Sequence, residues 1–344
     1  MKSKKIKLHY IIFFTVLILF LFLLILWNWN FSQKDQEVIW GVTFSKLQAE
    51  ELGLDWVQVY GTMIDEMNFK TIRLPIYWPD VERQPGKYDF SSYGWMVEKA
   101  AEKNIEVMPV LGRRVPRWPE CHVPEIYKSL SEKDIQEKIF NLITAEVKYF
   151  KKFDNIKKWQ VDNEPFADFF GECPLGDNEL VKKEISIVKE LDNRPVVITE
   201  SGELSLWTKG AKISDILGVS MYRQTWNKQW GWFNYPLPPA YYWLKSKIVQ
   251  LRTNVDKVIN TELQVEPWAR NRHKKDEVVK EPTLKDMQLF DQLYSMDINQ
   301  VKKNVSFARK VGFVENYLWG VEWWYWIGQK YDHWEFWQYG ETIK

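Results

Sequence analysis

Residues 132–162 read EKDIQEKIFNLITAEVKYFKKFDNIKKWQVD, a helix and a strand in immediate succession. Ile135, Ile139, Phe140, Ile143, Val147 and Phe150 recur at the spacing that gathers them on one face of a helix over 132–152. Ser131, followed by Asp134, is expected to cap its start. KWQVD at 158–162 then reads as a strand and runs into Asn163-Glu164-Pro165. The same alternation extends in both directions. Apolar runs rich in β-branched residues predict strands at 38–43, 71–76, 105–111, 158–162, 195–199, 216–221, 257–261 and 313–319. Helical patterns lie near 55–67, 92–103, 132–152, 178–192, 239–253 and 285–310, and the connection 202–215 is too short to show a clear one. Eight strands alternating with helices predict an α/β chain folded as a (β/α)₈ TIM barrel. A doubly wound open sheet is the alternative, but its usual glycine-rich first turn has no counterpart in WGVTFSKLQ at 40–48.

Composition narrows the function. Charged residues are 27% of the 344 and hydrophobic ones 45%, which excludes a disordered chain. The net charge is +1, and with Lys2, Lys4, Lys5 and Lys7 set aside the remainder carries 1 − 4 = −3, so no nucleic-acid partner is expected. The histidines His9, His122, His273 and His333 and the cysteines Cys121 and Cys173 show no metal-ligand spacing, so neither metal nor cofactor is expected. GxGxxG, P-loop and GxSxG patterns are missing from the sequence. Twenty tryptophans in 344 residues exceed what a core needs and point to sugars or other ring-shaped ligands; an aromatic-rich core is the plainer explanation.

The stretch 10–27, YIIFFTVLILFLFLLILW, runs 18 residues without a charge, with four lysines before it and none directly after. That length suits a bilayer, and the charge bias places the N-terminus in the cytoplasm. The expected organisation is a basic cytoplasmic tail at 1–9, a single transmembrane signal anchor at 10–29, a linker at 30–37 and an extracytoplasmic catalytic domain at 38–344. A cleaved signal peptide is the competing reading, but no small-x-small site follows the apolar run. The basic stretch 270–280 (RNRHKKDEVVK) is expected to be a solvated loop.

In such a barrel the carboxyl ends of the strands carry the active site. The fourth strand ends at Asn163-Glu164-Pro165 and the seventh at Thr261-Glu262. The second contains Arg73, the fifth ends at Glu200, the sixth at Tyr222 and the eighth at Trp319. Two carboxyl groups facing each other across the barrel mouth, about 5–5.5 Å apart, are what retaining glycoside hydrolysis needs.

Asn163-Glu164-Pro165, Glu262 in INTELQ, Arg73, Tyr222 and Trp319 stand in an order that resembles the clan A glycoside hydrolases, the cellulase-like and β-galactosidase-like superfamily of retaining enzymes. The stretch 84–112 (QPGKYDFSSYGWMVEKAAEKNIEVMPVLG) also looks like that clan's second-to-third strand region. The resemblance runs from about Trp40 to Trp326 and leaves the family within the clan unassigned. It implies Glu262 as nucleophile, with Arg73 and Tyr222 favouring its ionised form, and Glu164 as acid/base. It implies Asn163 on the sugar's 2-hydroxyl, and Trp319, with Trp323 as second choice, as the platform beneath the sugar. Glu200 is a candidate substrate contact, as are Trp118 and His122 in RRVPRWPECH (113–122). Arg113 and Arg114 stand where the clan often has a histidine; they imply either an acidic sugar or an arginine pair packed against acids.

Cys121 and Cys173 fall in the loops after the third and fourth strands, side by side over the site, and a disulfide between them is expected. The tryptophan-rich loop 224–239 is expected to wall the cleft or stack on sugar. The implied activity is hydrolysis of a β-linked oligo- or polysaccharide with net retention, tethered outside the cytoplasm. The rivals are a tethered carbohydrate-binding pseudoenzyme and a transglycosylase that remodels cell-surface glycan. Sugar identity and oligomeric state are open at this level.

Overall fold

The computed structural model describes residues 9–10, 12–18, 21, 24–25, 29–32, 37–227, 229, 231–268 and 283–344. Eight parallel strands close into a barrel: β1 (Ile39–Thr43), β2 (Thr71–Pro75), β3 (Glu106–Leu111), β4 (Trp159–Val161), β5 (Val196–Glu200), β6 (Ile216–Met221), β7 (Lys257–Gln264) and β8 (Glu315–Trp319). Each pairs with its neighbours in chain order, and β1 closes the ring against both β2 and β8. The helices that follow the strands in turn are α1 (Trp56–Glu66), α2 (Ser91–Glu102), α3 (Glu132–Phe150), α4 (Asn178–Leu191), α5 (Thr208–Ala211), α6 (Pro239–Arg252), α7 (Ile298–Val311) and α8 (Val321–Tyr331).

The expected helix at 132–152 is α3. Ser131 caps it by accepting from the Asp134 N–H, and Ile139, Ile143, Val147 and Phe150 are fully buried. Burial of each such side chain contributes roughly 1.5–3 kcal/mol. The expected single helix over 285–310 is broken into Leu284–Asp286, Leu289–Ser295 and α7, because Asp297 accepts from the Gln300 N–H at 2.7 Å and so starts a new helix. Two helices follow the eighth strand, α8 and Glu335–Thr342.

Inside the barrel, Met108, Val197, Ile216, Ile259 and Tyr317 form an apolar plug. At the barrel end where the strands start, Glu315 binds Lys158, Lys257 (3.0 Å) and the Tyr317 hydroxyl (2.5 Å). Burial pushes the Glu315 carboxyl up, but the two ammonium groups outweigh it and hold the group below its ordinary value. On the other side of the plug lies a polar layer of Arg73, Gln160, Thr199 and Glu262. Gly218 leaves room for it, since a Cβ there would sit 2.6 Å from Thr261 Cγ2 and 2.7 Å from Thr199 Cγ2.

Much of the tryptophan excess is packing rather than ligand surface. Trp40, Trp78, Trp159, Trp207, Trp323 and Trp324 are among the largest fully buried side chains. Residues 11, 19, 20, 22, 23 and 26–28 of the expected anchor and the basic stretch 270–280 lie outside the described residues; among those described, no helix is long and apolar enough to cross a membrane. The segment leading into β1 is docked. The Phe31 N–H donates to the Lys310 carbonyl at 2.8 Å, at the C-terminal end of α7, and the Phe31 ring stacks on Trp243 at 4.6 Å.

Candidate active site

Arg73 organises the mouth of the barrel. It is fully buried on the inner face of β2, and its fork is spent on three side chains at once. Nη1 donates to Glu262 Oε1 (2.8 Å), Nη2 to Asn163 Oδ1 (2.8 Å) and Nε to Gln160 Oε1 (2.7 Å). A buried guanidinium is tolerated because each of these acceptors, one of them charged, replaces lost water. The second oxygen of Glu262 accepts from the Tyr222 hydroxyl at 3.0 Å. Burial and the negative charge of Glu262 raise the Tyr222 hydroxyl well above its ordinary value, so it remains a proton donor.

Glu262 reaches this position through an irregularity. The register of β7 against β6 shifts between Asn260 and Glu262, so Thr261 is an extra residue. Ile259 already points into the barrel, and regular alternation would send Glu262 outward; the bulge turns it in. Glu164 arrives by a different route. The chain leaves β4 through two non-glycine residues in the left-handed region, Asp162 (φ 52°) and Glu164 (φ 44°). The Glu164 N–H is held by Thr199 Oγ1 at 2.8 Å. Burial first, then the charge of Glu262, raises the Glu164 carboxyl well above its ordinary value, so it holds a proton beside a carboxylate. That pairing of a protonated acid with a hydrogen-bonded carboxylate can perform acid-assisted displacement at a carbon between them.

Trp319 ends β8 and is almost wholly covered. The Arg117 guanidinium lies 4.0 Å above its ring. Arg117 binds Glu266 through Nη1 (2.5 Å) and Nη2 (3.1 Å), and reaches Glu322 at 3.3 Å. Burial pushes the Glu322 carboxyl up to about 7, against the pull of Arg117. Gly320 makes this cluster possible, because at φ 118° a Cβ would lie 2.3 Å from Glu266 Cβ.

Three sequence expectations need correction. Glu200 does not face the site: Val197 and Thr199 point inward, so strand alternation turns Glu200 out, where its oxygens accept from Trp207 N–H (3.1 Å) and Gly210 N–H (2.5 Å). Trp323 lies on α8, fully buried against Phe336, and donates to Gln292 Oε1 at 2.6 Å, so it offers no platform. His122 is turned into its own loop, with Nε2 on the Arg117 carbonyl at 3.1 Å and its ring against Tyr77; burial pushes it down to about 4. Trp118 stays 44% exposed at the rim. Arg113 pairs with Glu132 (2.9 Å), and Arg114 donates to the carbonyls of Ala167 and Phe170. The arginine pair is therefore committed elsewhere, to an acid on α3 and to loop carbonyls.

Sequence reasoning missed Glu120 and Glu203. Glu120, next to Cys121, accepts from Asn163 Nδ2 at 2.9 Å. Glu203, after β5, receives the Tyr222 N–H (3.0 Å) and the Tyr242 hydroxyl and so fixes Tyr222 over Glu262. The tryptophan-rich loop contains a hairpin, Gln224–Asn227 with Gly231–Asn234. Gln264 at the end of β7 ties down its start by accepting from Arg223 and Gln224 N–H, both at 2.9 Å.

Cys121 and Cys173 are joined, with Cα atoms 5.3 Å apart and a sequence separation of 52. Closing a loop of that length stabilises the fold by up to about 4 kcal/mol through the unfolded state. Urea unfolding of a Cys121→Ser/Cys173→Ser variant should show a lowered midpoint with an unchanged native circular dichroism spectrum. An unchanged midpoint would mean that the bond constrains nothing.

No protein-family model and no curated protein matches the chain. Solved structures do. An exo-β-1,4-mannosidase from Opitutaceae bacterium strain TAV5 aligns with 84% of this chain and 53% of its own at 14% identity, TM-score 0.53. A β-galactosidase from the psychrophilic Marinomonas ef1 aligns with 81% and 53% at 12% identity, TM-score 0.53. A β-glucosidase from Exiguobacterium marinum aligns with 84% and 90% at 11% identity, TM-score 0.52. The chain thus spans about half the length of the first two and most of the third. These structural neighbours are clan A glycoside hydrolases, and at such identities what the chain shares with them is their fold, the closed eight-stranded parallel barrel.

Proposed function

We propose that this chain is a retaining β-glycoside hydrolase acting on a β-linked oligo- or polysaccharide. The observation that carries the reading is Glu262, with one oxygen on Arg73 and the other on Tyr222, beside a Glu164 whose proton is retained by burial and by that same carboxylate. Glu262 attacks the anomeric carbon while Glu164 gives its proton to the departing glycosidic oxygen, leaving a glycosyl ester on Glu262. With the charge of Glu262 consumed in the ester, Glu164 becomes the base that takes a proton from water as the water's oxygen displaces the ester. Asn163 holds the 2-hydroxyl. Oδ1 is spent on Arg73 and Thr199 and one Nδ2 proton on Glu120, which leaves the second Nδ2 proton for the sugar. The rim residue Trp118 supplies apolar surface for sugar rings, whereas Trp319, covered by Arg117, supports the wall beneath.

The uncharged stretch 10–27 behind four lysines supports a single-pass anchor, with the N-terminus cytoplasmic and the barrel outside. A disulfide over the site suits that compartment. The test uses the full chain in mild detergent with aryl β-glycosides and β-glucan, β-mannan and β-galactan oligosaccharides, following the first product by proton NMR. The β-anomer should appear first. An α-anomer appearing first would overturn retention, and saturable glycan binding without turnover would point to the binding protein instead.

A further inference from the structure

Glu120 is buried in the site, and the reaction as written does not use it. Its Oε2 accepts from Asn163, while its Oε1 receives no hydrogen bond among the described residues. The side chain ends a row of consecutive bonds, Glu262 to Arg73 (2.8 Å), Arg73 to Asn163 (2.8 Å), Asn163 to Glu120 (2.9 Å). The row places Glu120 on the Asn163 side of Glu262, beside the residue that the proposed reaction assigns to the 2-hydroxyl.

The turn that delivers Glu120 is strained and heavily supported. Arg117 (φ 91°) and Glu120 (φ 72°) both occupy the left-handed region without being glycine, at a cost of roughly 1–3 kcal/mol each. Glu120 N–H donates to the Arg117 carbonyl (2.8 Å), Val115 N–H donates to the Glu120 carbonyl (2.9 Å), and Cys121 is clamped to Cys173. Gly171 lies so close that an added Cβ would be 3.0 Å from Glu120 Cβ. A conformation held this firmly against its own preference is a reason to look for function.

Charge sets the kind of ligand. Six carboxyl groups, Glu120, Glu164, Glu203, Glu262, Glu266 and Glu322, meet the guanidinium groups of Arg73, Arg117 and Arg114; the first two are bound to carboxylates, and Arg114, which also acts on Glu120, to loop carbonyls. Arg113 is committed to Glu132. Among the described residues, carboxyl groups thus outnumber the guanidinium groups around Glu120 and Glu262, a balance that disfavours a sugar carboxylate. A hydroxyl, which both donates and accepts, suits the free oxygen of Glu120 in either protonation state; burial pushes that carboxyl up to about 8.

We propose that Glu120 touches the sugar and selects it, through a hydrogen bond from Oε1 to the 2- or 3-hydroxyl of the ring, and that this acid-rich site favours neutral sugars over uronic acids. This rests on the hydrolase reading, and the experiment separates the two. Full chain in detergent and its Glu120→Gln variant are assayed on the 4-nitrophenyl β-glycosides of glucose, mannose, galactose and glucuronic acid, then on 2-deoxy and 3-deoxy forms of the best neutral substrate. Glu120→Gln should lower kcat/KM on the parent roughly 10-fold, the upper scale of a hydrogen bond between neutral groups, and only about 2-fold on one deoxy form. The glucuronide should be turned over at least about 100-fold more slowly than the best neutral sugar. Equal losses on the parent and both deoxy forms, or good turnover of the glucuronide, would overturn the proposal. If the wild type hydrolyses none of these, the same comparison is made by calorimetry with the sulfur-linked glycosides. Coupling to one hydroxyl without turnover then supports Glu120 and overturns the hydrolase reading, whereas absence of binding overturns both.

Discussion

Replacing Glu262 with alanine should lower kcat by roughly 10⁵-fold on any substrate the protein hydrolyses, the scale seen when a covalent nucleophile is lost elsewhere. Arg73 and Tyr222 hold both oxygens of this carboxylate, so its removal takes away the attacking atom and strands a buried guanidinium. The second effect would blur the first if rate alone were measured. Azide separates them. A small anion fits the space left by the carboxylate and attacks the anomeric carbon once, so azide should restore turnover and release an α-glycosyl azide. Substantial residual hydrolysis in Glu262→Ala without azide would show that another group is the nucleophile.

Glu164→Ala should cost roughly 10²–10⁴-fold, the contribution of a positioned acid/base, and the loss should grow as the leaving group becomes more basic. Activated aryl glycosides leave without help, so for them the deficit falls on the second step and glycosyl-enzyme accumulates. The pH profile gives an independent readout. Burial and Glu262 raise the Glu164 carboxyl well above its ordinary value. The protonated form is the active one in the first step, so activity is present below that raised pKa and falls as pH rises through it. In Glu164→Ala this alkaline limb should be absent. An alkaline limb that persists unchanged would move the acid role to another residue, Glu120 being the neighbour with a carboxyl also raised, to about 8.

How legible the site was depended on what placed each residue. Arg73, Tyr222 and Trp319 were legible because strand ends in a closed barrel converge on one face, and the order of strands follows from the alternation of apolar runs. Glu200 also ends a strand, and there the reading failed on parity: a shift of one residue decides inward or outward, and the spacing of VVITE does not announce which. Glu262 points into the barrel mouth although regular alternation would have turned it out; the bulge at Thr261 has no signature in NTELQ. Trp323 was named as the second choice for the sugar platform, yet a helix that follows β8 into the core has no side left for ligand. Glu120 was invisible for a different reason. Its position depends on two left-handed residues in a loop, and the only hint in the sequence is its place between Pro119 and Cys121. Loops are set by contacts made far along the chain, here with Cys173, Gly171 and Asn163, and local pattern does not encode these.

The docking of Phe31 against Lys310 and Trp243 determines how the molecule presents itself. The chain enters β1 from the end of the barrel where strands begin, and both carboxyl groups stand at the end where strands finish. Entry and candidate site thus lie at opposite ends of the barrel. On the proposed anchored reading, the barrel mouth would open away from the chain's entry, and polymer could reach Glu164 and Glu262 without passing the anchor.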